Sequence, residues 1–178
     1  MAIAYTGKQY IAKDRRKLLN KVYLTGVDLS RQEWQERIRE KLYASYDLER
    51  CRKMFVGGDG SEWVGRSFDL VGIRHVTRVL DPFHVKRAIH LAFGSVLDTP
   101  KVIAQLYEQG FEAVEKTLLD AVPGGTKAAV KARLDCLQYL RNHADDIVSA
   151  ASLGASESNV DKLVAQRMKT RGVSWSLA

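Results

Sequence analysis

The sequence predicts an α/β protein, a mixed sheet whose strands run into acidic turns and which gives way to a long helical stretch. Three observations carry this expectation. Two short apolar runs, Met54 to Val56 and Val76 to Leu80, each stop at an aspartate: Asp59 after Gly57-Gly58, and Asp81 directly. Behind Ser30, apolar residues recur along one helical face. From Thr99 onward the texture is helical, with a break at Pro123-Gly-Gly125.

Composition bounds the rest. With 178 residues and 46% hydrophobic side chains, the chain can bury a real core. Its 28 Lys and Arg outnumber 21 Asp and Glu, leaving +7, a balance that favours a polyanionic partner. Cys51 and Cys136 stand far apart without CxxC spacing, so neither a disulfide framework nor a zinc module is indicated. No apolar run long enough for a membrane helix and no signal-peptide core are present, and the expected location is a reducing cytoplasm.

In chain order, Met1 to Tyr5 reads as a strand and Lys13 to Lys17 (KDRRK) as a basic, solvated loop. Leu18 to Val27 reads as a second strand, antiparallel to the first. With the strands ending at Asp59 and Asp81, this makes about four. Ser30 to Ser45 is the clearest helix: Ser30 and Glu33 form a capping box, and Trp34, Ile38 and Leu42 share a face. Ser61 to Leu70 is expected to be a short helix carrying Trp63 and Phe68. After Asp81 a helix places Val85, Ala88, Ile89 and Ala92 on one side and stops at Gly94. Three more helices follow, Thr99 to Gln109, Phe111 to Ala121, and one opened by Thr126 with Val130, Leu134, Leu137 and Leu140 inward. Ser149 to Ser158 reads as a loop. Glu157 then opens a last helix and shares its face with Val160, Val164 and Met168.

In an open α/β sheet, ligands bind beyond the carboxyl ends of the strands, so Asp59 and Asp81 are candidate metal ligands. Each also has a structural explanation. Asp59-Gly60 is a strong hairpin signal, and Asp81-Pro82 is an N-cap followed by proline at the first helical position. Glu157 in a first helical turn could simply favour the helix dipole.

GGDGSEW at 57–63, VLDPFHVKRAI at 79–89 and the stretch from Glu157 through Arg167 to Trp175 together resemble the catalytic core of bacterial insertion-sequence transposases of the DDE class. The resemblance runs in consistent order along most of the chain. It implies a ribonuclease H-like sheet lacking its first strand at 1–95, an all-helical insertion at 96–150 and a catalytic helix at 151–178. It implies DNA as partner, transposon ends and target alike, a homo-oligomeric assembly, a location at the bacterial nucleoid, and Mg²⁺ or Mn²⁺ as cofactor. Two such ions, about 4 Å apart, assist both the attacking and the leaving oxygen of a phosphodiester exchange. Within this resemblance Asp59 and Glu157 hold metal, while Asp81 and His84 form an accessory Asp-x-x-His element beside the site. The family's first aspartate lies on a strand upstream of the one that Met1 to Tyr5 resembles. Neither Asp14 nor Asp28 replaces it, so a truncated transposase with little turnover is expected. The alternative is a non-catalytic DNA-binding or oligomerisation remnant. A nucleotide-cyclase reading of GGDG fails because Ser61-Glu62 follow.

Overall fold

A computed structural model describes residues 2–13, 15–61 and 75–148, together with Val64, Arg66, Gly72 and Leu153. The expected helix over 61–70, the 149–158 loop and the helix opened by Glu157 lie largely or wholly outside these residues. The chain is a mixed α/β protein that divides into two compact units, the first holding the elements up to residue 51 and the second those from 52 to 66 and 73 to 153.

The first unit begins with β1 (Ala2–Ala4), β2 (Gly7–Ala12), β3 (Arg15–Leu19) and β4 (Val22–Leu24). β1 pairs antiparallel with β4, Ala2 opposite Leu24, as expected for the first strand and the end of the second. The remainder departs from expectation. KDRRK is not a solvated loop: Arg15 to Lys17 belong to β3, which folds back antiparallel on β2 as a hairpin. The supposed single strand from Leu18 to Val27 is broken at Asn20, whose φ of 47° turns the chain between β3 and β4. Helix α1 (Arg31–Ser45) has the anticipated capping box, with Glu33 N donating to Ser30 Oγ and Ser30 N to Glu33 Oε2. Its Ile38 and Leu42 are buried, as is Leu24 of β4. Tyr46, just past the helix, donates its hydroxyl to Asn20 O.

The second unit opens with β5 (Met54–Gly58) and β6 (Val76–Leu80), which run parallel in register from Met54↔Val76 to Gly58↔Leu80. Parallel neighbours need a crossover of a dozen or more residues, which the chain from 59 to 75 provides. Among the described residues the six strands form three two-stranded sheets, where the sequence suggested about four strands in one. The helices follow in close agreement with their sequence signals: α2 (Pro82–Phe93), α3 (Thr99–Gln109), α4 (Phe111–Asp120) and α5 (Lys127–Asn142). Asp98 caps α3 and Thr126 caps α5 through bonds from Lys101 N and Ala129 N.

One core binds these four helices to the end of β6. Leu80, Val85, Ile89 and Phe93 meet Leu106 of α3, Val114 and Leu118 of α4, and Leu137 and Leu140 of α5. The inward face of α5 lies to one side of the expected stripe. Leu134 is 48% exposed, whereas Arg133 is buried. Arg133 is held there by donating to Ala92 O at the end of α2 and to Val122, Pro123 and Gly124 O in the turn after α4. A buried guanidinium is tolerated when its donors are matched in this way.

Candidate functional site

The rim formed by the ends of β5 and β6 carries the first two acids. Gly57 and Gly58 finish β5 in close quarters: a Cβ on Gly57 would stand 2.6 Å from Leu153 Cδ1 and one on Gly58 2.7 Å from Val64 Cγ1, so a larger residue would have to displace these neighbours. Asp59 then folds its own turn. Its Oδ1 accepts from Ser61 N at 3.0 Å and from Ser61 Oγ at 2.5 Å, an Asx turn and not the hairpin turn that Asp-Gly can also make. Gly60 takes φ +93°, and a Cβ there would press within 2.8 Å of His143 Nε2. The two Ser61 donors hold the Asp59 carboxyl below its ordinary value, against a smaller opposing effect of burial, and the charge of His84 pulls in the same direction. Asp59 is therefore ionised near neutral pH.

Asp81 occupies the equivalent place on β6. Its backbone N donates to Gly58 O at 2.8 Å, one step beyond the last paired residues of the two strands. Asp59 and Asp81 thus follow neighbouring parallel strands at the same end. Asp81 Oδ1 accepts from Phe83 N at 3.0 Å and caps α2, with Pro82 in the first turn as the sequence indicated. His84 lies in the same turn, its N donating to Asp81 O and its ring edge-on to Phe83 at 5.4 Å. Asp59 follows β5, and Asp81 and His84 follow β6, at the same end of the parallel pair. Glu157 lies outside the described residues.

A second row of side chains, absent from the sequence-based candidates, backs this rim. Tyr139 of α5 donates its hydroxyl to the backbone O of Asp59 at 3.0 Å. Burial pushes its phenol up to about 12, and the charges of Asp59, Cys136 and Asp81 act in the same sense. The Tyr107 phenol is likewise pushed up to about 12, by burial first and then by Asp81 and Tyr139. Its hydroxyl is buried without a hydrogen-bond partner among the described residues. His143, one turn beyond Tyr139, packs its ring against that tyrosine at 5.2 Å and brings Nδ1 to 3.5 Å from Asp146 Oδ2. The available signal was Tyr139 near the end of α5 with His143 four residues on, each with a polar handle that needs a destination.

Among the described residues, no group of three or more His, Cys, Asp and Glu is placed to hold a metal ion. Asp59 and Asp81 offer hard carboxylate oxygens from two separate elements, and Mg²⁺ binds through one or two carboxylates while keeping several waters. Each acid spends Oδ1 on its own turn or cap, so these two residues form a partial set.

Fold and rim together define an α/β protein whose paired parallel strands present two carboxylates and a histidine at one end. The chain belongs to the uncharacterised protein family UPF0236, whose model matches residues 4–178. No curated protein and no solved structure matches it significantly. No helix among the described residues is long and apolar enough to cross a membrane.

Proposed function

We propose that the chain is the catalytic portion of a DDE-class transposase, built on a ribonuclease H-like sheet and acting on DNA with Mg²⁺ or Mn²⁺. The observation that supports this reading best is the parallel register of β5 and β6, which sets Asp59 and Asp81 side by side beyond the same strand ends. Ligand sites of open α/β sheets form in that position. It also matches the order of GGDG and DPFH in the transposases that the sequence resembles.

In this reading Asp59 and Glu157 hold the metal. Bound there, it supplies Lewis-acid stabilisation of the oxygens that attack and leave phosphorus. The chain's own residues prepare the site. Ser61 keeps Asp59 ionised and aimed, and Tyr139 holds the backbone of its turn. Asp81 fixes the start of α2 and so places His84, whose imidazole can hold or release a proton beside the scissile phosphate. DNA, as transposon end and as target, is the substrate, and a homo-oligomer would bring two ends together.

A second reading, a non-catalytic DNA-binding or oligomerisation remnant, is favoured by the structural duties that Asp59 and Asp81 already perform as turn and cap. Nicking of supercoiled plasmid in Mg²⁺ or Mn²⁺ separates the two. Transposase chemistry predicts metal-dependent nicks that Asp59→Asn abolishes while DNA binding persists. Nicking unchanged in Asp59→Asn rejects the first reading, and DNA binding without nicking whose affinity is the same with and without Mg²⁺ or Mn²⁺ supports the second.

A further inference from the structure

The β2–β3 hairpin is a surface that the carboxylate rim does not account for. Ordinary hairpins bury one face, so their side chains alternate between core and solvent. Here Gln9, Tyr10, Ile11, Ala12 and Lys13 are all exposed in succession, with Tyr10 at 64% and Ile11 at 54%. Side chains on both faces of the outer half of β2 therefore stand in solvent. Among the described elements β2 and β3 pack chiefly on each other. A register shift between Tyr10 and Ala12 marks a bulge near the tip, and Thr6, Leu19 and Asn20 close the base through the Thr6 N to Leu19 O and Asn20 Nδ2 to Thr6 Oγ1 bonds. An isolated two-stranded ribbon is marginal in water, and the other described elements give this one little support.

Its charge points to the occupant. Lys8, Lys13, Arg15, Arg16 and Lys17 lie within ten residues and face a single acid, Asp14, in sequence. Lys13 and Lys17 are exposed, while Arg15 and Arg16 occupy β3 opposite Ala12 and Tyr10. Six extended residues span about 20 Å, and two strands lie about 5 Å apart. A ribbon of that size enters a major groove about 12 Å wide, where two-stranded β-ribbons are accommodated. We propose that the β2–β3 hairpin is an arm that lies in the major groove of double-stranded DNA, with Lys13 and Lys17 on the flanking phosphates and the exposed Tyr10 and Ile11 against the groove floor. The interface requires no metal and does not depend on the acids of the rim.

Fluorescence anisotropy of the full chain with a labelled duplex of about 20 base pairs, in EDTA and across a salt series, tests it. Each phosphate contact contributes a slope of about −0.9 in log K against log salt. The variant Lys13→Ala/Lys17→Ala should bind more weakly and flatten the slope by about 1.8. A control with the same loss of charge, Lys116→Ala/Lys127→Ala, changes two exposed lysines on α4 and α5. It should keep the wild-type slope, and circular dichroism should show both variants folded. The arm is rejected if the hairpin variant keeps the wild-type slope, or if the control flattens it equally. Preference for the single strand over the duplex, or no salt-sensitive binding by the wild type, rejects it as well. Because no cleavage is read, a failed nicking assay leaves the result interpretable.

Discussion

Replacing Tyr139 by Phe removes one hydroxyl from behind the Asp59 turn and leaves the ring packed where it was. The bond lost is Tyr139 Oη to Asp59 O, 3.0 Å long. A typical intramolecular hydrogen bond contributes about 1 kcal/mol net, and the exposure of Asp59 lets water reach the freed carbonyl, which keeps the cost near about 0.5–1 kcal/mol. In a chain of this length that lowers Tm by about 1–4 °C. The local effect is the more informative one. With its backbone released, the turn holds Ser61 less firmly against Asp59, and the Asp59 carboxyl rises back toward the ordinary carboxylate range. A carboxyl depressed in the folded state adds stability above its unfolded value, and that stability is lost as pH falls through the folded value. The variant should therefore show a shallower loss of stability on acidification. Titration of the Asp59 side-chain carbon by ¹³C NMR over roughly pH 2–6, beside a thermal melt, measures both effects. An Asp59 titration identical to wild type would refute the clamp, whatever happens to Tm.

Two further outcomes follow from buried polar groups. Tyr107 and Tyr139 both titrate near 12 when folded against 10.0 in model compounds, so between those values the folded chain retains protons that the unfolded chain has lost. Stability should be full below pH 10 and fall as pH rises toward 12, and chemical denaturation across that range should show the decline reduced in Tyr107→Phe/Tyr139→Phe. Arg133→Ala deprives the carbonyls of Ala92, Val122, Pro123 and Gly124 of their shared donor. It should cost about 3 kcal/mol or more in urea unfolding, because hydrogen bonds to a charged group are each stronger than neutral ones.

Helices were legible where local chemistry marks their ends. Ser30 with Glu33, Asp81 with Pro82, and Thr126 are signals that act within a few residues, and the structure uses each of them. The hairpin was not legible, for the reason that makes it interesting. A strand whose outer residues are exposed in succession leaves no period-two pattern in GKQYIA, and the basic residues that follow look like a solvated loop. The inward face of α5 was misplaced because periodicity assigns Leu134 inward and Arg133 outward. Carbonyl groups from two other segments reverse that assignment, and their convergence is a tertiary fact. At the site, Asp59 and Asp81 stood out as acids ending apolar runs, but the parallel pairing that sets them side by side depends on strands separated by residues 59–75. Tyr139 reaches Asp59 across 80 positions of sequence, a distance that no local pattern spans.

Iron-directed cleavage gives the most direct test of a metal-gripping rim. Fe²⁺ substituted for Mg²⁺ and treated with peroxide cuts the backbone next to wherever the ion sits, and mass spectrometry locates the cuts. The account predicts cleavage beside Asp59, Asp81 and Glu157 together, suppressed by excess Mg²⁺ and lost in Asp59→Asn. Cuts confined to other segments, or cuts near Asp59 with none near Glu157, would contradict it.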